Sequence, residues 1–250
     1  MKITHLQKNA ILYYSPINLI RNFTKKYKLF SSGQHDSMEF IRILFDELIE
    51  DNKNTNTMAP YHVINNDNKS KYEVCREYDE FFKSRENSYI HELFYFQTIS
   101  TYTCFCGYKS YTCENLLEIP LIFNKKIESI GLKELLNNYF KNIKIPWAEK
   151  CWDCKKKKKK HTKSIRLYNV NDYFIITLQR YENDSLQINN SEVSFESSLN
   201  LGSYLDSNLF KGKGDFSLKA TIHHIGNINS GHYFVLLKLK MNGLNSVIVM

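Results

Sequence analysis

Proline and glycine are scarce in this 250-residue chain, at four and nine residues, which excludes collagen-like and proline-rich repeats. No apolar run approaches the roughly 18 residues of a membrane-crossing helix. The stretch Tyr233 to Leu237 is short and is followed by Lys238 and Lys240. The opening residues, Met1-Lys2-Ile3-Thr4-His5, lack the apolar segment of a secretory signal. An intracellular location, cytoplasm or nucleus, is therefore expected. Six cysteines are too few for a disulfide framework, and clustered cysteines in an intracellular chain favour a metal. Against these absences stand 17 tyrosines, 16 phenylalanines and a hydrophobic fraction of 42%, ample for a core. The net charge of +8 permits an acidic partner, but Lys155 to Lys160 supplies six of those charges. The charge is local to that run.

The hydrophobic pattern predicts a helical first third followed by sheet, an α+β chain. Residues 15–29 read as a short helix, with Ser15 as N-cap, Pro16 at the first turn and an apolar face of Ile17, Leu19, Ile20 and Phe23. Asp36 to Asn52 carries the clearest helical period, in Ile41, Leu44, Phe45, Leu48 and Ile49. Residues 51–71 are rich in Asn and Lys and read as a loop. Residues 72–96 read as helical, with Phe81, Phe82, Leu93 and Phe94 in the core, and Leu132 to Phe140 as a further helix. Alternating runs at Thr101–Cys104, Lys109–Cys113, Tyr173–Leu178, Leu218–Ile222 and Tyr233–Leu239 suit half-buried antiparallel strands.

Four clusters carry candidate chemistry. Cys104-Phe-Cys106 followed by Gly107, and Cys151-Trp-Asp-Cys154, form two pairs of the kind that hold zinc tetrahedrally. The single residue inside the first pair is tighter than the common two-residue gap; two unrelated pairs of reduced thiols are the alternative. Cys75 and Cys113 fall outside this pattern and read as buried free thiols. The run Lys155–Lys160 reads as the solvated tip of a hairpin; a nucleic-acid surface would interleave aromatics or Arg, and none occur. The segment from His224 to Tyr233 joins two strand-like runs. Its glycines Gly226 and Gly231 permit the close backbone approach that a substrate chain requires, and its histidines include a candidate general base. A structural role for them is the alternative. Finally, Asp36 and Glu39 fit a capping box at a helix start, which needs no function.

Together these blocks resemble the ubiquitin-specific protease family of deubiquitinating enzymes. Gln34-His35-Asp36-Ser37-Met38-Glu39-Phe40 is similar to the family's Gln-Gln-Asp-Ala-x-Glu-Phe box, and His91-Glu92-Leu93-Phe94 to the block before its first zinc pair. The two cysteine pairs look like its zinc ribbon, and Tyr173 to Tyr181 like its strand ending in Leu-Lys-Arg-Phe. Phe216 to Gly226 and Gly231-His232-Tyr233 match its histidine box. The resemblance implies a papain-like hand: a helical thumb over 1–97, zinc-ribbon fingers over 98–170 and an antiparallel β palm with the histidine box over 171–250. It implies ubiquitin and ubiquitinated proteins as partners, with no membrane. His232 becomes the catalytic base and Asn245, in Leu244-Asn245-Ser246, the third triad position. Asp36, Tyr233 and Gln34 become contacts to the ubiquitin tail, and Cys104, Cys106, Cys151 and Cys154 the ligands of a structural zinc.

One family feature is missing. The nucleophile sits in an N-terminal block of the type Asn-x-Gly-Asn-Thr-Cys, whereas no cysteine occurs among the 33 residues before Gln34. Removing such a nucleophile costs about a million-fold in turnover. The expectation is an N-terminally truncated or degenerate copy that does not cleave ubiquitin conjugates on its own. The ending at Met250 suggests loss at that end too. The alternatives are a non-catalytic ubiquitin-binding module and, last, a zinc-ribbon nucleic-acid binder.

Overall fold

The structure is a computed structural model that describes residues 15–52, 64, 66, 68–85, 88–123, 127–145, 154–155, 161–180, 188–210, 214–227, 230–238 and 245–250. The first third is helical, as the periodicity predicts. Helix α1 (Ile17–Lys26) leads through a 3₁₀ turn (Lys28–Ser31) to α2 (Ser37–Asp51). Asp36 caps α2, its Oδ1 accepting from the amides of Met38 at 2.7 Å and Glu39 at 3.0 Å. The N-cap of α1 is Pro16 rather than Ser15. Its predicted apolar face finds little to pack on: Phe23 is buried, while Ile17, Leu19 and Ile20 are about half exposed. The segment read as one helix over 72–96 is two, α3 (Lys71–Arg85) and α4 (Tyr89–Phe94), the second capped by Ser88. In α3 the buried residues are Val74 and Cys75; Phe81 and Phe82 are only half-buried. Most of the predicted loop over 51–71 lies outside the described residues.

Two main sheets follow. The first, in the order β2-β1-β6-β5, is antiparallel throughout: β1 (Phe96–Cys104), β2 (Lys109–Leu116), β5 (Ile143–Ile145) and β6 (His161–Asn169). The second runs β11-β10-β12-β7-β3, from β3 (Glu118–Ile122), β7 (Tyr173–Gln179), β10 (Asp215–Gly226), β11 (Gly231–Leu237) and β12 (Asn245–Val249). A short strand β9 (Ser198–Asn200) pairs with β10, and β4 (Ser129–Gly131) pairs with β8 (Glu192–Ser194). The chain is therefore α+β. The fold differs from the sequence reading in two details. First, β3 lies within the range 98–170 but joins the second sheet. Second, that sheet is mixed: β11 and β9 run antiparallel to β10, whereas β10, β12, β7 and β3 are mutually parallel.

Burial explains the parallel half. Four consecutive residues of β7, Phe174 to Thr177, are buried, which is the pattern of a strand covered on both faces. On one face Phe174 and Ile176 join Phe96, Phe216 and Leu136 of α5 (Leu132–Tyr139) in the main core. On the other, Ile175 packs with Met38 of α2, with Phe45 and Phe94 against that cluster. Phe94 stacks on Tyr173 at 5.0 Å. Arg42 of α2 also pairs with Glu118, a buried residue of β3. The sheet thus fixes α2 lengthwise, and with it the position of Asp36.

Candidate functional site

The start of α2 meets the β10–β11 hairpin. The Gln34 side-chain amide donates to the Gly231 carbonyl at 3.3 Å, joining positions 197 apart in sequence. A groove of about 520 Å³ opens there, bordered by Phe23, Phe30, Gln34, Asp36, His232 and Tyr233. A second, of about 660 Å³, shares Asp36 and Tyr233 and continues past Arg180, His223 and Met250. Four of the predicted site residues, Gln34, Asp36, His232 and Tyr233, are thus brought together.

The hairpin shapes that groove through its two glycines. In β11, His232 stands opposite Ile225 and Tyr233 opposite His224. A Cβ on Gly231 would come within 2.1 Å of His224 Nε2 and 2.7 Å of the Ile225 carbonyl. Gly226 has φ +133°, and a Cβ there would meet the Ser230 carbonyl at 2.3 Å. The close approach that these glycines allow is therefore between the hairpin's own strands, not toward a substrate chain. Tyr233 packs on His224 at 4.7 Å, and His223 stacks on Phe234 at 4.9 Å while contacting the Thr221 hydroxyl at 2.8 Å. His232 is exposed and borders the groove. Asp36 is exposed as well, and both capping bonds fall on its Oδ1. The groove is thus bordered by an exposed imidazole and an exposed carboxylate.

Asn245 is not part of this constellation. It opens β12 in register with Phe216 of β10, whereas His232 pairs with Ile225. Phe216 and Ile225 are nine residues apart, roughly 30 Å along a strand. Strand β12 runs parallel to β10, so its first residue lies at the opposite end of β10 from the register position of the histidine.

Two features of the groove escaped the sequence reading. Arg180 ends the second sheet's central region, its guanidinium donating to the carbonyls of Asn189 at 2.9 Å and Ser191 at 2.8 Å. Burial lowers its pKa from the ordinary arginine value. Its signal was a basic residue closing a buried apolar run. The aromatic wall comes from Phe23 of α1, read only as a helix, and Phe30 of the 3₁₀ turn that follows it.

At the far end of the first sheet, β1 ends at Cys104 and turns through Gly107, whose φ of +92° and amide bond to the Cys104 carbonyl at 2.9 Å bring Cys106 back toward it. The sulfurs of Cys104, Cys106 and Cys154 lie within 4.8 Å of one another, a group that could hold a metal ion. Cys151 lies outside the described residues, as do Lys156–Lys160. His161, buried and directly across from Cys104, had drawn no attention in the sequence.

The start of α2 and the β10–β11 hairpin thus bring Asp36 and His232 to one groove, with three thiols grouped at the tip of the first sheet. Residues 2–244 match the family model for ubiquitin carboxyl-terminal hydrolase, and the chain belongs to that family. It is 29% identical over 235 residues to ubiquitin carboxyl-terminal hydrolase Usp2 of Drosophila melanogaster, a match covering 90% of this chain and 24% of that protein. Among solved structures it is similar to the SAGA Ubp8/Sgf11/Sus1/Sgf73 DUB module bound to ubiquitin aldehyde, at TM-score 0.63 and 20% identity, over 91% of this chain and 47% of that one. The same module bound to monoubiquitin matches at TM-score 0.65 and 18% identity, over 89% and 45% of the two chains. The chain thus spans a quarter to a half of the lengths of these relatives. No helix among the described residues is long and apolar enough to cross a membrane.

Proposed function

We propose that the groove between α2 and the β10–β11 hairpin receives the C-terminal tail of ubiquitin on ubiquitinated proteins. In this reading residues 1–97 serve as thumb, 98–170 as fingers and 171–250 as palm. Gln34, Asp36 and Tyr233 contact the tail, and His232 is the base that a thiol-dependent hydrolase of this family would use. The observation that carries it is the Gln34–Gly231 hydrogen bond, which holds the 34–36 and 231–233 segments on opposite walls of one groove. Asp36 suits a backbone amide or cationic side chain of an extended tail, because an exposed carboxylate keeps acceptor capacity beyond its cap.

Cleavage needs a nucleophile at that wall. The cysteines at positions 104, 106, 151 and 154 cluster at the finger tip in sequence, Cys75 and Cys113 sit between α3 and β2, and no cysteine borders either groove among the described residues. The groove therefore supports ubiquitin binding by this chain more directly than turnover. Labelled ubiquitin titrated into the chain should bind. Ubiquitin lacking its tail, or Asp36→Ala in the chain, should bind on the order of tenfold more weakly. A fluorogenic ubiquitin C-terminal substrate should remain uncleaved; turnover that vanishes in His232→Ala would restore the full hydrolase reading. Tail-independent binding would sink the groove assignment.

The thiol cluster supports a structural zinc. A tetrahedral Zn–S distance of about 2.3 Å sets sulfurs about 3.8 Å apart, close to the 3.9 Å between Cys104 and Cys154 Sγ. Cys151 supplies the fourth thiol in sequence. Four protein ligands leave no open position for water, so the ion would hold the tip rather than react. Elemental analysis should find one zinc per chain, lost in Cys106→Ser.

A further inference from the structure

Outside the groove and the tip, two more thiols meet. Cys75 on α3 and Cys113 on β2 are 38 positions apart, yet their Sγ atoms are 3.5 Å from each other. Both are nearly inaccessible, at 5% and 6% exposure, and they share a cluster with Val74, Ile99 and Tyr168. They form a set of two: among the described residues, the grouping of three or more side chains that could hold a metal is the one at the tip. Tetrahedral closure of a metal site is therefore unavailable here, whereas a disulfide needs these two atoms and nothing more. The sulfurs have to close from 3.5 Å to about 2.05 Å, a shift within reach of side-chain torsions.

We propose that Cys75 and Cys113 are a redox couple whose disulfide clamps α3 to β2, tying the helical first third to the antiparallel sheet. The co-reactant is a low-molecular-weight disulfide such as oxidised glutathione. The Cys75 thiolate attacks one glutathione sulfur, a protein–glutathione disulfide forms and a glutathione thiolate leaves. The Cys113 thiolate then attacks the Cys75 sulfur and expels the second glutathione. The protein dithiol loses two electrons, the glutathione disulfide gains them, and the two thiol protons end on the two glutathione thiols. The hydrogen bond with Cys113 and then burial push the Cys75 thiol above its ordinary pKa, so thiolate is scarce while α3 is closed. The couple therefore stays reduced in the closed protein and oxidises through openings of α3. Once one sulfur is capped, its partner is the nearest thiol.

The test uses the full chain, loaded with zinc, exposed to oxidised glutathione, quenched by alkylation and digested with trypsin. The expected product is Tyr72–Arg76 linked to Ser110–Lys125, the two tryptic fragments that carry these cysteines. The oxidised chain should melt about 5–10 °C higher than the reduced one, since the bridge closes a 38-residue loop, and dithiothreitol should reverse the gain. Cys113→Ala should abolish both the linked peptide and the gain. If that variant misfolds, the linked peptide in the unsubstituted chain still decides. Recovery of both fragments only in singly alkylated form, or linked to the tip cysteines, while exposed Cys106 is already oxidised, would overturn the proposal.

Discussion

The second sheet and the helical start of the chain solve burial in opposite ways. Phe174, Phe96, Phe216, Ile176 and Leu136 are fully buried in one continuous core, with rings of Phe96 and Phe174 at 4.8 Å and of Phe174 and Phe216 at 5.6 Å. Helix α1 buries Phe23 alone, in an aromatic cluster with Phe40 at 4.8 Å and Phe30 at 5.4 Å. Outside that cluster its hold on α2 is polar: Lys26 and Tyr27 both hydrogen-bond the Glu47 carboxylate. The difference shows how the groove is made. One side is a strand pair carried by a rigid sheet, another the end of a helix pinned to that sheet, and the aromatic wall is contributed by the least anchored element.

That contrast can be pressed experimentally. Phe174→Ala should cost about 3–5 kcal/mol and lower the melting temperature on the order of 10 °C, by calorimetry, with ubiquitin binding lost only as the fold is lost. Phe23→Ala should cost less, about 1–2 kcal/mol, while weakening ubiquitin binding in the folded protein. Equal stability losses at the two sites would erase the distinction. The smallest effect concerns pH. Hydrogen bonds from Lys26 and Tyr27 hold Glu47 below its ordinary value, and the same bonds raise Lys26 and Tyr27. A depressed carboxylate contributes above its unfolded pKa and loses that contribution as pH falls through the folded one; raised groups contribute below theirs and lose it as pH rises. Exchange-corrected amide protection in α1 should therefore fall below about pH 4 and above about pH 10, and Glu47→Gln should flatten the acid limb.

Local chemistry made the helices legible. Asp36 and Glu39 announced the start of α2 within a residue, and the apolar pattern over Leu132 to Phe140 announced α5, because capping and amphipathicity act over one or two turns. Amphipathicity does not reveal whether a partner exists, and the apolar face read for α1 is mostly exposed. The histidine and Gln-Asp boxes were visible as segments, and the resemblance supplied their meeting. Register was invisible: nothing near Asn245 says that it pairs with Phe216 rather than arriving beside His232. The Cys75–Cys113 contact was hidden for the same reason, each thiol being readable as buried but not as paired.

Strand β12 lies between β10 and β7, hydrogen-bonded to both, so those two strands touch each other only through it. The second sheet cannot zip up in the order in which it is synthesised. Residues 173–179 and 215–226 each keep an edge of unpaired backbone groups until residues 245–249 arrive to slot between them. Such late, long-range insertion predicts slow folding and a vulnerable intermediate on the ribosome, where a chaperone rather than the chain's own sheet would shelter the unfinished centre.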